Sequence, residues 1–459
     1  MIEINSIDTP ALGDRSYLAT DGQVALVVDP QRDIDRVLAV AAERGVTITH
    51  VFETHLHNDY VTGGLALARQ TGAAYHVNAR DDVAFERTPV EDGDTIAVGE
   101  SMTVTVLATP GHTFTHLSYA LADTATGELA AVFTGGSLLY GSTGRPDLLG
   151  PGHKAALAAA QHASARRLAD LPDETPVCPT HGFGSFCSAT QSEGNESTIG
   201  KEKRVNPVLT LDEDRYVTEL LAELDAYPAY YAHMGPANAA GPAGVDLTAP
   251  APADAATVAA RIAAGEWVVD LRTRRAFAAG HVPGSLGFEY GNDFTNYLGW
   301  LIPWGAPLTL LGDSPEQVRA AQRDLTRIGI DKLAGAASGT PQDWADRPLA
   351  SFEVARFADL AAVRHHRRVA VLDVRRALEW ADGHLDGAIH IPLHELLARM
   401  AELPRTEIWV HCRSGYRASI AASLLKAAGH EVVAVDDAFA DAAAAGLPVV
   451  GGPARATAA

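Results

Sequence analysis

Short β-branched runs alternate with amphipathic stretches along roughly the first 180 residues. Val24 to Val28 predicts a buried strand ended by Asp29-Pro30. Ile34 to Arg44 predicts a helix, with Ile34, Val37, Leu38 and Ala41 on one face and Gly45 as its stop. Val46 to Phe52 predicts the next strand, and Gly63-Gly64 opens a helix over Leu65–Gln70. Met102–Leu107 and Ala130–Thr134 read as strands, His153–Leu171 as a helix, and Val177-Cys178 as a further short strand. Asn206 to Tyr231 reads as a helical extension. The stretch from Gly235-Pro236 to Pro252, rich in Ala, Gly and Pro, has the composition of a linker.

Beyond the linker the pattern repeats. Val268-Val269-Asp270-Leu271-Arg272 precedes Gly280-His281 and Gly284, and Val371-Leu372-Asp373-Val374-Arg375 precedes Gly383-His384 and Gly387. The interval from Asp to Gly-His is the same in both copies. Three domains are expected, over residues 1–245, 252–347 and 350–453, the last two α/β modules with a central, mainly parallel sheet.

Composition narrows the partners. A formal charge of −21, spread along the chain, argues against nucleic acid or an anionic membrane as partner. No segment approaches the roughly 20 apolar residues of a membrane span, and the N-terminus does not read as a signal peptide. The three cysteines, Cys178, Cys187 and Cys412, form no disulfide framework and suit a reducing, cytoplasmic setting.

The chemistry gathers where predicted strands end. Thr54-His55-Leu56-His57-Asn58-Asp59-Tyr60 follows one strand, Thr109-Pro110-Gly111-His112 a second, Thr134-Gly135-Gly136 a third and Pro179-Thr180-His181-Gly182 a fourth. Loops at one edge of stacked sheets would bring His55, His57, His112 and His181 together. Three neutral imidazoles, His55, His57 and His112, suffice for one divalent ion with positions left for water or substrate. Asp59 and His181 stand beside them as further ligands or partners of ligands. The Gly-rich loop after His181 is placed to bring the thiol of Cys187 to the pocket.

These ordered motifs, with Gly144-Arg145-Pro146-Asp147, resemble the metallo-β-lactamase superfamily, and within it the glyoxalase II and persulfide dioxygenase branch. The resemblance implies an αββα sandwich with a metal cleft at one edge, holding Fe(II) by preference or Zn(II), with Tyr60 lining the pocket. Two departures stand out: Gly136 occupies the place of a ligand Asp, and Tyr60 that of a second-metal His. Both disfavour a dinuclear hydrolase centre, and an Asp restored at position 136 should tighten metal binding if the cleft is otherwise native.

The last module carries a second site. Ile408-Trp409-Val410 reads as a strand, followed by His411-Cys412-Arg413-Ser414-Gly415-Tyr416-Arg417 and a helix beginning near Arg417. A thiol among backbone amides at a helix N-terminus, flanked by Arg413 and Arg417, favours the thiolate. Ser414, Gly415 and Tyr416 complete the cradle for a bound sulfur. The loop resembles rhodanese, and its Cys-x4-Arg spacing fits one sulfur atom better than the tetrahedral oxyanion of Cys-dependent phosphatases. The first copy has Leu310-Leu311-Gly312-Asp313-Ser314-Pro315 instead, and reads as an inactive scaffold or part of a dimer interface. The whole resembles persulfide dioxygenase–rhodanese fusions. It implies an α/β multidomain enzyme handling low-molecular-weight persulfide, sulfite and thiosulfate, as a homo-oligomer. The rivals are a sulfurtransferase with a non-catalytic first domain and a Zn-dependent thioester or persulfide hydrolase.

Overall fold

The computed structural model describes residues 2–190, 194–364 and 366–451. The chain divides into two compact units: Met1–Asp246 with Arg323–Gly329, and Leu247–Gln322 with Ile330–Ala459.

The first unit is built on two sheets. One is ordered β1 (Glu3–Thr9), β2 (Asp14–Thr20), β3 (Val24–Val28), β4 (Thr47–Phe52), β5 (Ala74–Asn78) and β6 (Thr88–Val90). Its β1–β2–β3 edge is antiparallel, and from β3 onward the strands run parallel. The other comprises β7 (Thr95–Val98), β8 (Met102–Ala108), β9 (Leu117–Asp123), β10 (Leu129–Gly135) and β11 (Val177–Pro179), ordered β11-β10-β9-β8-β7.

Period-two alternation decides what each strand buries. Leu26 and Val28 join Val104, Val106, Leu121 and Phe133 in the core between the sheets, whereas Ala25 and Val27 face the other way. There they pack with Val37, Ala41, Leu65 and Ala68 of the helices Asp35–Arg44 and Gly64–Thr71. On the outer face of the second sheet, Val132 packs with Ala158, Ala165, Val208 and Tyr216 of the following helices. The result is the expected αββα sandwich.

The C-terminal end of this unit differs from the sequence reading. The extension after Asn206 is broken into Pro207–Thr210 and Glu213–Glu223. Tyr231–Ala240 is then a helix with Pro236 inside it, where linker composition was read. Tyr231, Met234 and Asn238 are buried, and tertiary packing overrides the weak helix propensity of Gly235 and Pro236.

In the second unit both repeats form parallel sheets. The first contains Leu286–Gly287, Trp267–Asp270, Leu308–Gly312 and Leu333–Ser338 in that order. The second contains Glu353–Ala355, Val432–Val435, Ile408–His411, Ala370–Asp373 and Ile389–His390. The repeated Asp-x-Arg and Gly-His make one bonding circuit twice. Arg272 pairs with Asp270 at 2.6 Å and donates to the Gly280 carbonyl at 2.8 Å. Arg375 pairs with Asp373 at 2.6 Å and donates to the Gly383 carbonyl at 2.7 Å. The repeat therefore encodes scaffold. Among the described residues no helix is long and apolar enough to cross a membrane.

Candidate functional site

The loops following β4, β8 and β11 do bring His55, His57, His112 and His181 together, all at most 1% exposed. Each imidazole has one nitrogen tied to a backing group. His55 Nδ1 is 2.9 Å from the Thr54 hydroxyl, which itself donates to Asp29. His57 Nε2 faces Glu53 at 3.2 Å, Asp29 at 3.3 Å and the Tyr60 hydroxyl at 2.9 Å. His112 Nδ1 donates to the Arg145 carbonyl at 2.9 Å. His181 Nδ1 faces Asp14 at 2.9 Å and Asp59 at 3.2 Å.

Two of the opposite nitrogens are free for a ligand. Among the described residues His57 Nδ1 and His112 Nε2 have no hydrogen-bond partner. The Nε2 atoms of His55 and His181 face each other at 3.4 Å. Two nitrogens on one tetrahedral ion at about 2.05 Å stand roughly 3.3 Å apart, so this spacing fits. Ligand atoms of His55, His57 and His181 lie within 4.8 Å of one another, as do those of His112, His181 and Cys187. Backing carboxylates fix the imidazole that a metal requires, and each of these two groups, which share His181, has the donors for one divalent ion. By contrast His116 uses both nitrogens, with the Thr109 hydroxyl at 2.9 Å and the Gly136 amide at 3.0 Å, and is structural.

The electrostatics follow from burial and these partners. Burial alone would depress His57, but Asp29 and Glu53 outweigh it and raise it to about 9. His181 is likewise pushed up, because Asp59 and Asp14 overcome its burial. His112 is pushed down to about 3 by burial and by neighbouring His181.

Position 136 has a structural reason to be Gly. A Cβ there would lie 2.3 Å from His112 Cδ2, and one at Gly144 would lie 2.6 Å from His112 Nδ1. The imidazole is sandwiched between two glycines, so a carboxylate at 136 has no room until the ring moves. The expectation that Gly136→Asp tightens metal binding is therefore reversed. Titration of the variant with Co(II) should show binding no tighter than the parent's, and weaker by roughly 10–100-fold if His112 is displaced.

Sequence reasoning missed the groups that hold this site. Asp29 is the non-glycine residue at positive φ (50°) among the described residues, and it is fully buried. Its carboxylate accepts from the Thr54 amide at 2.7 Å, from the Thr54 hydroxyl at 2.7 Å and from the Thr180 hydroxyl. An Asp-Pro at a strand end was the available signal. Asn238, in the stretch read as linker, donates to the carbonyls of His57 at 2.9 Å and Tyr60 at 2.8 Å. Tyr230, Tyr231 and Met234 are buried beside it, at most 3% exposed.

At the second site Cys412 follows the strand Ile408–His411 and is 1% exposed. The Gly415 amide donates to its Sγ at 3.2 Å, and the helix Tyr416–Ala427 starts immediately after. Gly415 has φ 92°, and a Cβ there would meet Asp436 Oδ1 at 2.1 Å. Asp436 is itself fixed by Arg274 and Arg275, each at 2.9 Å. Gly415→Ala should thus distort the loop and lower sulfur-transfer kcat/KM by roughly 10²-fold, measured with thiosulfate and cyanide.

The two arginines differ. Arg417 is buried and forms a bidentate pair with Glu379 at 2.6 and 2.7 Å, so its charge is largely balanced. The pair overcomes the burial of Glu379 and holds its carboxyl down at about 2. Arg413 is exposed and, with Ser414, Arg375, Gly383 and Phe439, lines a cavity of about 610 Å³. Tyr416 turns away, donating to the Glu289 carbonyl of the Cys-less copy at 2.9 Å. In that copy the Gln317 side chain accepts from the Asp313 amide at 2.8 Å, so a protein group occupies the corresponding loop.

Residues 12–181 match the metallo-beta-lactamase superfamily model and residues 357–445 the rhodanese-like domain. A hydroxyacylglutathione hydrolase of Fuscovulum blasticum is 31% identical, over 44% of this chain and 77% of its own length. The human mitochondrial persulfide dioxygenase is 27% identical, over 46% of this chain and 74% of its own. A Staphylococcus aureus metallo-beta-lactamase crystal structure aligns at TM-score 0.66 and 29% identity, over 73% of this chain and 99% of that one. Coverage of the hydrolases is uneven: the chain spans 57% of the length of one from a Polaromonas strain. Through its first part the chain belongs to the metallo-β-lactamase superfamily. It is an enzyme whose first domain is similar to hydroxyacylglutathione hydrolases and to a persulfide dioxygenase, and which carries a C-terminal rhodanese-like domain.

Proposed function

We propose that this protein is a sulfur-handling enzyme, a rhodanese sulfurtransferase at Cys412 joined to a metal-dependent, persulfide dioxygenase-like first domain. The observation that carries the reading is the Cys412 sulfur under the Gly415 amide at a helix start, beside a cavity lined by Arg413. Amide dipoles there stabilise a thiolate and equally the terminal sulfur of a persulfide. The Cys412 thiolate attacks the sulfane sulfur of thiosulfate, the sulfur–sulfur bond of the donor breaks, and sulfite leaves with the electron pair. An acceptor thiolate or sulfite then takes the outer sulfur and restores the thiolate. Arg413 attracts the anionic donor, and Arg417 with Glu379 keeps the wall of the loop rigid.

In the first domain His55, His57, His112 and His181 are the residues that would hold one divalent ion, Fe(II) by preference. Such an ion would supply dioxygen chemistry on a small persulfide. The backing carboxylates orient the rings, and Tyr230, Tyr231 and Met234 keep water out.

The same burial supports a second reading, a sulfurtransferase whose first domain is not catalytic. The likeness to hydroxyacylglutathione hydrolases supports a third, a Zn-dependent thioester hydrolase. Metal analysis of anaerobically purified protein, with oxygen uptake on a small-thiol persulfide, separates them. Iron with uptake is expected. Zinc without uptake would replace the dioxygenase by the hydrolase, and no stoichiometric metal would leave sulfur transfer alone.

A further inference from the structure

Gly136 leaves the histidine cluster without the carboxylate that would sit there, and the space is filled by His112. An anionic ligand must come from elsewhere if the ion is to be held as firmly as with one. Asp59 is turned toward His181 Nδ1 at 3.2 Å, the ring edge opposite the Nε2 that faces His55. Cys187 is the other candidate. It is completely buried, and its ligand atom lies within 4.8 Å of those of His112 and His181.

One residue places both ends of this pair. The Arg145 amide donates to the Cys187 carbonyl at 2.8 Å, and the Arg145 carbonyl accepts from His112 Nδ1 at 2.9 Å. The Arg145 side chain, buried, is fixed by Asp147 at 2.7 and 2.8 Å and reaches the Phe186 carbonyl at 3.3 Å. This is what the Gly-Arg-Pro-Asp motif does locally: it clamps the Gly-rich loop against the second histidine loop. His112 is left with its Nε2 lone pair buried and unpartnered among the described residues.

Resting on the metal-site reading above, we infer that Cys187 is a thiolate ligand of the ion, alongside His112 and His181, and replaces the carboxylate absent at Gly136. Binding breaks the Cys187 S–H bond, forms a sulfur–metal bond and releases one proton to solvent. Without metal the thiol stays protonated, since burial and the nearby Asp59 and Asp14 push it up. A thiolate added to the imidazoles makes the set softer than a carboxylate would, and favours iron or zinc over magnesium or manganese.

The test uses the full chain carrying Cys412→Ser, titrated anaerobically with Co(II). One equivalent should bind with a thiolate-to-cobalt charge-transfer band in the near ultraviolet. Adding Cys187→Ser should remove the band and weaken cobalt binding by at least the roughly 10–100-fold that lost outer partners cost. Cys178→Ser should keep the band, because Cys178 lies in the core between the sheets. Cobalt bound without a band, or a band that survives Cys187→Ser, overturns the inference while the metal site stands. Failure to bind any cobalt overturns the metal-site reading and the inference with it.

Discussion

Cys412→Ser is expected to reduce thiosulfate:cyanide sulfur transfer to background, a loss of roughly 10³-fold or more. A hydroxyl cannot carry sulfane sulfur between donor and acceptor, so no part of the double displacement survives. Because the side chain is buried and Ser is slightly smaller, the melting midpoint should shift little, and metal content should be unchanged. Release of sulfite from thiosulfate, followed in a single turnover, gives the direct measurement. Retained transfer would remove Cys412 as the sulfur carrier and with it the assignment of the activity to this loop.

The second large effect is expected at Asp29, which lies outside the histidine motifs. Asp29→Ala removes the acceptor for the Thr54 amide and for the Thr54 and Thr180 hydroxyls, and part of the countercharge of His57. Leaving a buried imidazolium partly unmatched costs about 3–5 kcal/mol. Ala at φ 50° adds strain of about 1–2 kcal/mol. A lower denaturation midpoint in urea and a Co(II) affinity reduced by roughly 10–100-fold should follow. Asp29→Asn separates the two contributions: Asn tolerates the backbone conformation and still accepts, so stability recovers more than affinity does. Equal stability and affinity in parent and Asp29→Ala would show that the site is organised from elsewhere.

Both architecture and chemistry were legible where local pattern carries them. The unbroken apolar run Val24–Val28 placed a buried strand, and Gly45 ended the first helix as a left-handed cap. The equal spacing of Asp270 to His281 and Asp373 to His384 identified the two modules, and the structure adds that the spacing encodes a buried Asp–Arg circuit. Composition misled at Gly235-Pro236, because helix formation there depends on packing against residues far earlier in the chain. The Asn238 side chain reaching the carbonyls of His57 and Tyr60 is the clearest case. Arg417 was read as favouring the thiolate together with Arg413, and the structure adds that Glu379 pairs with it from a helix 38 positions away.

The sequence by itself determined the elements, the histidines at successive strand ends and the single thiol at a helix start, since these depend on residue type and near-neighbour spacing. The tertiary structure decided which nitrogen of each imidazole faces the cleft, that His112 fills the space at Gly136, and that Asp14, Asp29 and Glu53 stand behind the rings. The physical reason is that these depend on contacts between residues up to 167 positions apart, as between Asp14 and His181, which no local pattern encodes.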